Sequence, residues 1–196
     1  MRSLVIVSVL ALASFVSAAG YPGPDHIGIY LDDDAVGEVV AGCDLAAMQP
    51  VRLHLCITNP SGHQVAAWEA RIEQVNAEGN LVGEWELVDG LNVGYENNYA
   101  VGIGYAPLVP NAQGVVTLMT MEAVLMRTDA PIEFYIRRYT DSVSFADGPG
   151  YAVWVNDLRP LQSSTGSLDT PVFVINGEAP VTNETATWGE VKSLFD

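Results

Sequence analysis

Residues 50–75 read PVRLHLCITNPSGHQVAAWEARIEQV and carry the strongest structural signal in the chain. Apolar and polar residues alternate twice along this stretch, first over residues 51–58 and again over residues 66–73. Because successive side chains of a β-strand point to opposite faces, each run predicts a strand with one buried face. The Asn-Pro-Ser-Gly sequence at 59–62 has turn composition, since Pro fixes φ and Gly permits positive φ. We therefore expect an antiparallel pair of half-buried strands.

Short runs of the same kind recur along the chain between clusters of Pro, Gly, Asn and Asp. The runs predict further strands at 26–31, 37–41, 81–88, 98–109, 115–126, 132–139, 151–155 and 171–175. Turn signals at roughly eight- to twelve-residue spacing, without a long helical pattern, indicate an all-β fold. The expected architecture is an antiparallel two-sheet sandwich of the immunoglobulin or jelly-roll type. At the C-terminus, Thr187 and Glu190 fit a capping box and predict a short amphipathic helix.

The N-terminal segment is typical of a secretory signal. A basic start at Arg2 precedes an apolar run over residues 4–15 and small residues at 16–19, and the run is too short for a lasting membrane span. We expect a signal peptide at 1–19, one β-sandwich domain at 20–176, and a tether with the short helix at 177–196. The predicted location is secreted or extracellular, at the cell surface or in the periplasm, with no membrane span after signal removal.

Acidic side chains dominate the composition. The chain has 24 Asp and Glu residues against 8 Lys and Arg residues, with a formal net charge of −16. Such a surface repels nucleic acids and anionic membranes at long range, which argues against a nucleic-acid partner.

Two cysteines, Cys43 and Cys56, are present. In an exported protein an even pair predicts a disulfide, which would stabilise the fold by ~3 kcal/mol in the chain-entropy account. The alternative is a pair of reduced thiols.

Three motifs give the chain a recognisable pattern. They are DHIGIY at residues 25–30 followed by acidic residues, a cysteine-containing strand that ends in Thr-Asn-Pro at 58–60, and TWGEVKSL at 187–194. In these motifs the chain resembles a group of small exported β-sandwich proteins of environmental bacteria. The order of strands at 51–72 and 115–136 is also similar to cohesin-like and other bacterial surface sandwiches. The resemblance implies a bacterial exported sandwich and places no functional residue.

An acidic turn follows the first predicted strand, with Asp32, Asp33, Asp34 and Glu38. Several carboxylates in one loop suit Ca²⁺, a hard cation that prefers oxygen ligands. Val36 stands where the EF-hand pattern has an oxygen ligand, so the match to that pattern is partial. Two interpretations follow: a structural calcium ion, or a solvated acidic turn in a protein without a cofactor.

Aromatic residues provide the candidate binding groups. Tyr135, Arg137 and Tyr139 fall on the polar face of the predicted strand 132–139, so we expect them to be exposed and able to contact a protein or a glycan. A cross-strand structural cluster is the alternative. By the same alternation, the core is expected to contain Trp68, Trp85 and Trp154.

Carboxylates on the predicted strand 81–88 raise a catalytic alternative. Glu84 and Glu86 share its polar face, and a pair of acids is what glycoside hydrolysis requires. Polar strand faces are usually solvent faces, and no nucleophile, zinc or phosphate-binding motif occurs in the sequence, so we assign no catalytic residue.

These observations predict a non-catalytic secreted or cell-surface module that binds an extracellular protein or glycan. The first alternative is an extracellular structural subunit, of a filament or surface layer, that pairs with copies of itself through an exposed edge strand or through the expected extended segment from Tyr21 to Pro24. The second is a small jelly-roll glycosidase.

Overall fold

The computed structural model describes residues 23–35 and 42–179. Within these ranges the chain forms thirteen strands and two sheets, which confirms the all-β, two-sheet prediction. The predicted signal peptide, the whole of the predicted strand 37–41 and the C-terminal helix lie outside the described residues. The strands are β1 His26–Tyr30, β2 Gly42–Cys43, β3 Pro50–Thr58, β4 Ala67–Val75, β5 Leu81–Leu87, β6 Leu91–Asn92, β7 Asn98–Gly102, β8 Val115–Leu125, β9 Ile132–Arg137, β10 Gly150–Trp154, β11 Asp157–Pro160, β12 Gln162–Ser163 and β13 Phe173–Ile175.

The two sheets face each other across one main core. Sheet A has the order β12-β1-β3-β8-β5, and sheet B has the order β11-β10-β4-β9-β13-β2, with β7 also paired to β4 and β6 paired to β7. Leu55 of β3 and Met119 of β8 point into the core from sheet A, and Ile72 of β4 and Phe134 of β9 from sheet B. The alternation of β3 and β4 therefore predicts their buried faces correctly.

The predicted pairing of β3 with β4 is wrong. β3 pairs with β1 and β8 in sheet A, whereas β4 pairs with β7, β9 and β10 in sheet B. Residues 59–66 cross from one sheet to the other instead of closing a hairpin. Asn59 adopts a φ of 48°, and its N–H donates to the carbonyl of Gly114 at 2.9 Å. Both apolar strand faces are buried because they meet across the core, which alternation alone does not distinguish from pairing.

A hydrogen-bond cluster around the buried Tyr151 ring holds this crossing in place. Tyr151 of β10 is fully buried. Its hydroxyl donates to Asp25 Oδ1 at 2.7 Å and accepts the Gly62 N–H at 2.9 Å. The same carboxylate accepts the N–H of Ser61 at 2.7 Å and its hydroxyl at 2.6 Å. A Cβ at Gly62 would collide with Val153, so a glycine is required there. The cluster, which we call the Tyr151 corner, joins the start of β1, the crossing and β10.

The predicted disulfide is also wrong, because Cys43 and Cys56 are free thiols. Cys43 ends β2 in sheet B and packs against the main core. Cys56 lies on the polar face of β3, in a small cluster with Tyr30, Ala35 and Val115 on the other side of sheet A. A layer of sheet A and the core therefore separate the two sulfur atoms, a geometry that no disulfide spans.

The aromatic residues only partly follow the expectation. Trp68 is buried, as predicted, and its ring stacks on Tyr99 at a centroid distance of 5.9 Å. Trp85 is half-buried at the edge of the core, whereas Trp154 is 63% exposed. Burial alternates along β10, with Tyr151 and Val153 facing the core, so Trp154 falls on the outward face and its assignment to the core is wrong. None of the described residues forms a helix of the length and hydropathy that a membrane crossing requires.

Candidate functional site

The outer face of sheet B is unusually apolar where β4 meets β7 and β10. Trp68 of β4 points inward, so its neighbours Ala67 and Glu69 point outward. The register places Gly102 of β7 on one side of Ala67 and Ala152 of β10 on the other. Small residues thus occupy adjacent positions on three neighbouring strands.

Large exposed apolar side chains flank these small residues. Leu91 of β6 is in register with Gly102, and Leu158 of β11 is in register with Ala152. The complete row across five strands is Leu91, Gly102, Ala67, Ala152 and Leu158. Leu91 is 70% exposed and Leu158 is 46% exposed. A Cβ at Gly102 would meet no atom within 4 Å, so the floor of the row is open. We call this depression, with a volume of about 240 Å³, the sheet B groove.

A second row widens the groove. Val93, which is 75% exposed, follows β6 and donates its N–H to the carbonyl of Ala100. Ala100 is in register with Glu69, and Glu69 with Gly150. The Phe145 ring occupies the space where a side chain of residue 150 would lie, so Gly150 allows that ring to pack on the sheet. Phe145 thereby becomes one wall of the sheet B groove.

Polar contacts hold the loop that carries Phe145. Arg138 donates to the carbonyls of Ser142 at 2.8 Å and Phe145 at 3.1 Å. The Ser142 hydroxyl donates to the carboxylate of Glu69 and accepts the Phe145 N–H at 2.9 Å. These contacts engage one carboxylate oxygen of Glu69 and hold the Phe145 wall in place before any ligand arrives, which lowers the ordering cost of binding.

A more polar hollow adjoins the sheet B groove and shares Phe145 and Leu158 with it. Its volume is about 450 Å³, and its lining includes Asp147, Gln162 and Ser167. The combined surface therefore offers an apolar floor at one end and hydrogen-bonding groups with one carboxylate at the other.

Tyr135 and Arg137, two of the residues predicted to bind, lie on the same outer face but away from the groove. Arg137 donates to Glu73 at 2.7 Å, to Asp169 at 3.0 Å and to the carbonyl of Leu168 at 2.6 Å. Its guanidinium lies 4.8 Å from the centre of the Tyr135 ring. The hydrogen bond to Glu73 is the main cause of a raised Arg137 pKa. With all these groups engaged, the arrangement matches the cross-strand cluster of the sequence analysis.

Tyr139, the third of these residues, is half-buried and packs edge-to-face on Tyr95 at 6.4 Å. The Tyr95 hydroxyl donates to Asp141 at 3.0 Å, and this hydrogen bond raises the pKa of Tyr95. Tyr135 is likewise half-buried, so the expectation that Tyr135 and Tyr139 are exposed is wrong. The aromatic residues most exposed in the described ranges are Tyr105 and Trp154.

The acidic turn packs on the outer side of sheet A. The main-chain carbonyl of Asp33 accepts the Thr117 hydroxyl at 3.1 Å. Across residues 23–35 and 42–179, no three His, Cys, Asp or Glu side chains converge on a metal-sized site. Glu38 falls outside these ranges, so calcium binding by Asp32, Asp33, Asp34 and Glu38 stays a prediction.

The two carboxylates of the catalytic alternative, Glu84 and Glu86, project from β5 into solvent. Glu84 is in register with Glu122 of β8, which is ion-paired with Arg52. These acids lie on the exposed face of sheet A, on the opposite side of the sandwich from the sheet B groove.

Sequence reasoning missed the groove because its walls come from strands too short to recognise. β6 has two residues and β11 has four. The signal that was present is the set of small residues on otherwise polar strand faces, Ala67, Ala100, Gly102 and Ala152. Only the register shows that they are adjacent.

No protein-family model and no curated protein matches the chain. Several solved cohesin structures from Acetivibrio cellulolyticus have a distant likeness of chain path. The sixth cohesin of scaffoldin B, crystallised with a mutant dockerin, is 9% identical with a TM-score of 0.45, over 80% of this chain and 100% of that one. A type II cohesin domain from the cellulosome is 13% identical with a TM-score of 0.44, over 80% and 98%. The second type II cohesin module of the adaptor scaffoldin ScaA is 9% identical with a TM-score of 0.44, over 84% and 97%.

Proposed function

We propose that this chain is a non-catalytic protein-binding module that works outside the cell and docks its partner on the sheet B groove. The row Leu91, Gly102, Ala67, Ala152 and Leu158 carries the proposal. Exposed apolar side chains that lie next to each other, rather than singly, are a feature of protein interaction sites. The predicted signal peptide at 1–19 supports the extracellular location.

The shape of the groove suits a protein segment. A floor of Gly and Ala lets a partner backbone approach the sheet closely, and the exposed Leu91, Val93 and Leu158 supply apolar contact area at its sides. Phe145 is held in position before binding by the Arg138 and Ser142 contacts. The strong net negative charge favours a partner with positive charge near its apolar contact residues.

Filling the groove tests the proposal. Gly102→Trp adds a large side chain into open space on the groove floor, and Gly104→Trp adds the same side chain into open space outside the groove lining. A peptide selected from a displayed library against the wild-type chain serves as the probe, with its affinity measured by fluorescence anisotropy. We expect Gly102→Trp to weaken binding by about tenfold or more, equal to about 1.4 kcal/mol, and Gly104→Trp to leave it within about twofold. Equal affinities for the two variants would place the binding surface elsewhere.

Glycan binding is the second candidate, and the polar hollow beside the groove favours it. Asp147, Gln162 and Ser167 supply hydrogen-bonding groups next to the apolar Phe145, a combination that suits a sugar ring. Asp147→Ala together with Gln162→Ala tests this candidate on a glycan array. A glycan signal lost in this double variant, with no peptide selected by the wild-type chain, would reverse the order of the two candidates.

A further inference from the structure

The free edge of sheet A carries an inference that is independent of the sheet B groove. β5, the edge strand, has seven residues and pairs only with β8 among the described residues. The other strands that end a sheet in these ranges, β2, β6, β11 and β12, have two to four residues. Natural proteins keep edge strands short to prevent unwanted pairing, so a long open edge is a feature to explain.

The backbone of β5 has a defined bonding phase. Met126 donates its N–H to the carbonyl of Asn80, and Val88 donates to the carbonyl of Leu118. Because alternate residues of an antiparallel strand bond to the same neighbour, the even-numbered residues bond to β8. Gly83, Trp85 and Leu87 therefore direct their N–H and C=O groups away from β8, towards the open edge of the sheet. The backbone groups of these three residues can form hydrogen bonds with an added strand.

The core is incompletely covered along this edge. Trp85 and Leu87 pack against the main core but are only half-buried. Their partners in β8, Met121 and Met119, are at most 1% exposed. An added strand with apolar residues on its inner face would bury the remaining surface of Trp85 and Leu87.

The outer face of the same edge is acidic. Glu84 and Glu86 of β5 are exposed, and Glu122 stands beside Glu84 on β8. Side chains directly opposite each other on neighbouring strands interact, favourably when their charges are opposite and unfavourably when they are alike. A strand added next to β5 is therefore favoured if its outward residues are Lys or Arg.

The same charges disfavour a second copy of this chain as the occupant. Pairing β5 with its counterpart in another copy would bring Glu84 and Glu86 of both copies onto one face of a continuous sheet. The N-terminal sequence of a second copy also fits this edge poorly, because residues 20–25 contain Pro22 and Pro24, which lack a backbone donor, and no basic residue.

We propose that β5 is a strand-addition site for an extended segment of another protein in which apolar residues alternate with Lys or Arg. The segment pairs its backbone with Gly83, Trp85 and Leu87, covers Trp85 with its apolar side chains, and places its basic side chains opposite Glu84 and Glu86.

The test uses the chain from residue 20 to 196 and the synthetic peptide acetyl-Lys-Val-Lys-Phe-Lys-Val-Lys-amide. We expect Glu84→Lys with Glu86→Lys to weaken binding by about tenfold or more, and Glu84→Gln with Glu86→Gln to weaken it by a smaller factor. The matched control, Asp44→Lys with Glu96→Lys, makes the same charge change at exposed positions outside sheet A and should stay within about twofold. Gly102→Trp should also leave this peptide's affinity unchanged, so the outcome at β5 can be distinguished from the outcome of the test on the sheet B groove.

Backbone pairing is tested directly with the same peptide N-methylated at alternate residues, which keeps its charge but removes donors. We expect its binding to fall by about tenfold or more, and hydrogen exchange of Gly83, Trp85 and Leu87 to slow when the unmethylated peptide binds. The proposal would be overturned if the two peptides bound equally well, or if the Glu84 and Asp44 double variants lost affinity equally. Either result would mean that general charge attraction explains the binding. Protection of these amides by self-association without peptide would also overturn it, in favour of a second copy.

Discussion

Replacing Tyr151 with Phe removes one oxygen atom from the Tyr151 corner and leaves the buried ring in place. The hydroxyl donates to the Asp25 carboxylate at 2.7 Å and accepts the Gly62 N–H at 2.9 Å. Hydrogen bonds to charged groups contribute ~1.5–3 kcal/mol, and a buried donor left unpaired costs ~1–3 kcal/mol. Because Asp25 keeps two bonds from Ser61, we expect a loss of about 3 kcal/mol in the free energy of unfolding.

Urea unfolding followed by tryptophan fluorescence measures this loss. For a domain of this size the change corresponds to a fall in Tm of roughly 6–12 °C. Tyr99→Phe is the matched control, since the Tyr99 ring stacks on Trp68 and its hydroxyl has no hydrogen bond within the described ranges. We expect a change below about 0.5 kcal/mol for this control.

A double-mutant cycle with Asp25→Asn assigns the energy to the pair. We expect a coupling energy of at least about 1 kcal/mol between residues 25 and 151, because they share one partly buried hydrogen bond to a carboxylate. A loss for Tyr151→Phe no larger than that of Tyr99→Phe would refute the stabilising role of the Tyr151 corner, and with it the explanation of what holds the crossing at residues 59–66 in place.

Three further predictions concern the thiols and the acidic turn. Without reductant, two thiols per denatured chain should react with a thiol-specific disulfide reagent, and in the native state Cys43 should react before the buried Cys56. One disulfide and no free thiol would contradict the structure. Burial raises the pKa of Cys56 from 9.0 to about 12. The part of the unfolding free energy that depends on the protonated Cys56 thiol is present below pH 9.0 and is lost as the pH rises towards 12. In urea titrations at alkaline pH, we therefore expect the unfolding free energy of Cys56→Ala to fall less steeply with pH than that of the wild-type chain. Equal slopes against pH for the two proteins would contradict this expectation. If Asp32, Asp33 and Asp34 help to bind calcium with a Kd near ~10 μM, adding ~1 mM Ca²⁺ should raise the unfolding free energy by ~2.7 kcal/mol, and Asp33→Asn should reduce that gain; no change in Tm would remove the calcium hypothesis.

The opposite fates of two predicted features show where the sequence is informative. The alternation in β3 and β4 depends on a period of two that every half-buried strand must have, so Leu55 and Ile72 were placed in the core correctly. The prediction that β3 pairs with β4 was wrong because a strand's inner face is equally apolar whether the next strand in sequence lies beside it or across the core. The contacts at the crossing include the hydrogen bond from Tyr151 to Asp25, which joins residues 126 apart in the sequence.

The binding residues show the same limit. The choice of Tyr135, Arg137 and Tyr139 identified the outer face of sheet B, because side-chain direction follows from alternation. It could not show that Glu73 and Asp169 already engage Arg137, since those contacts come from other elements. The all-β class, the acidic composition and the inward faces of β3, β4, β5 and β9 follow from local pattern and composition, so they could be predicted from the amino-acid sequence. The sheet partners, the two free thiols and the row from Leu91 to Leu158 are visible only in the folded chain, because the register between distant strands depends on contacts far apart in the sequence.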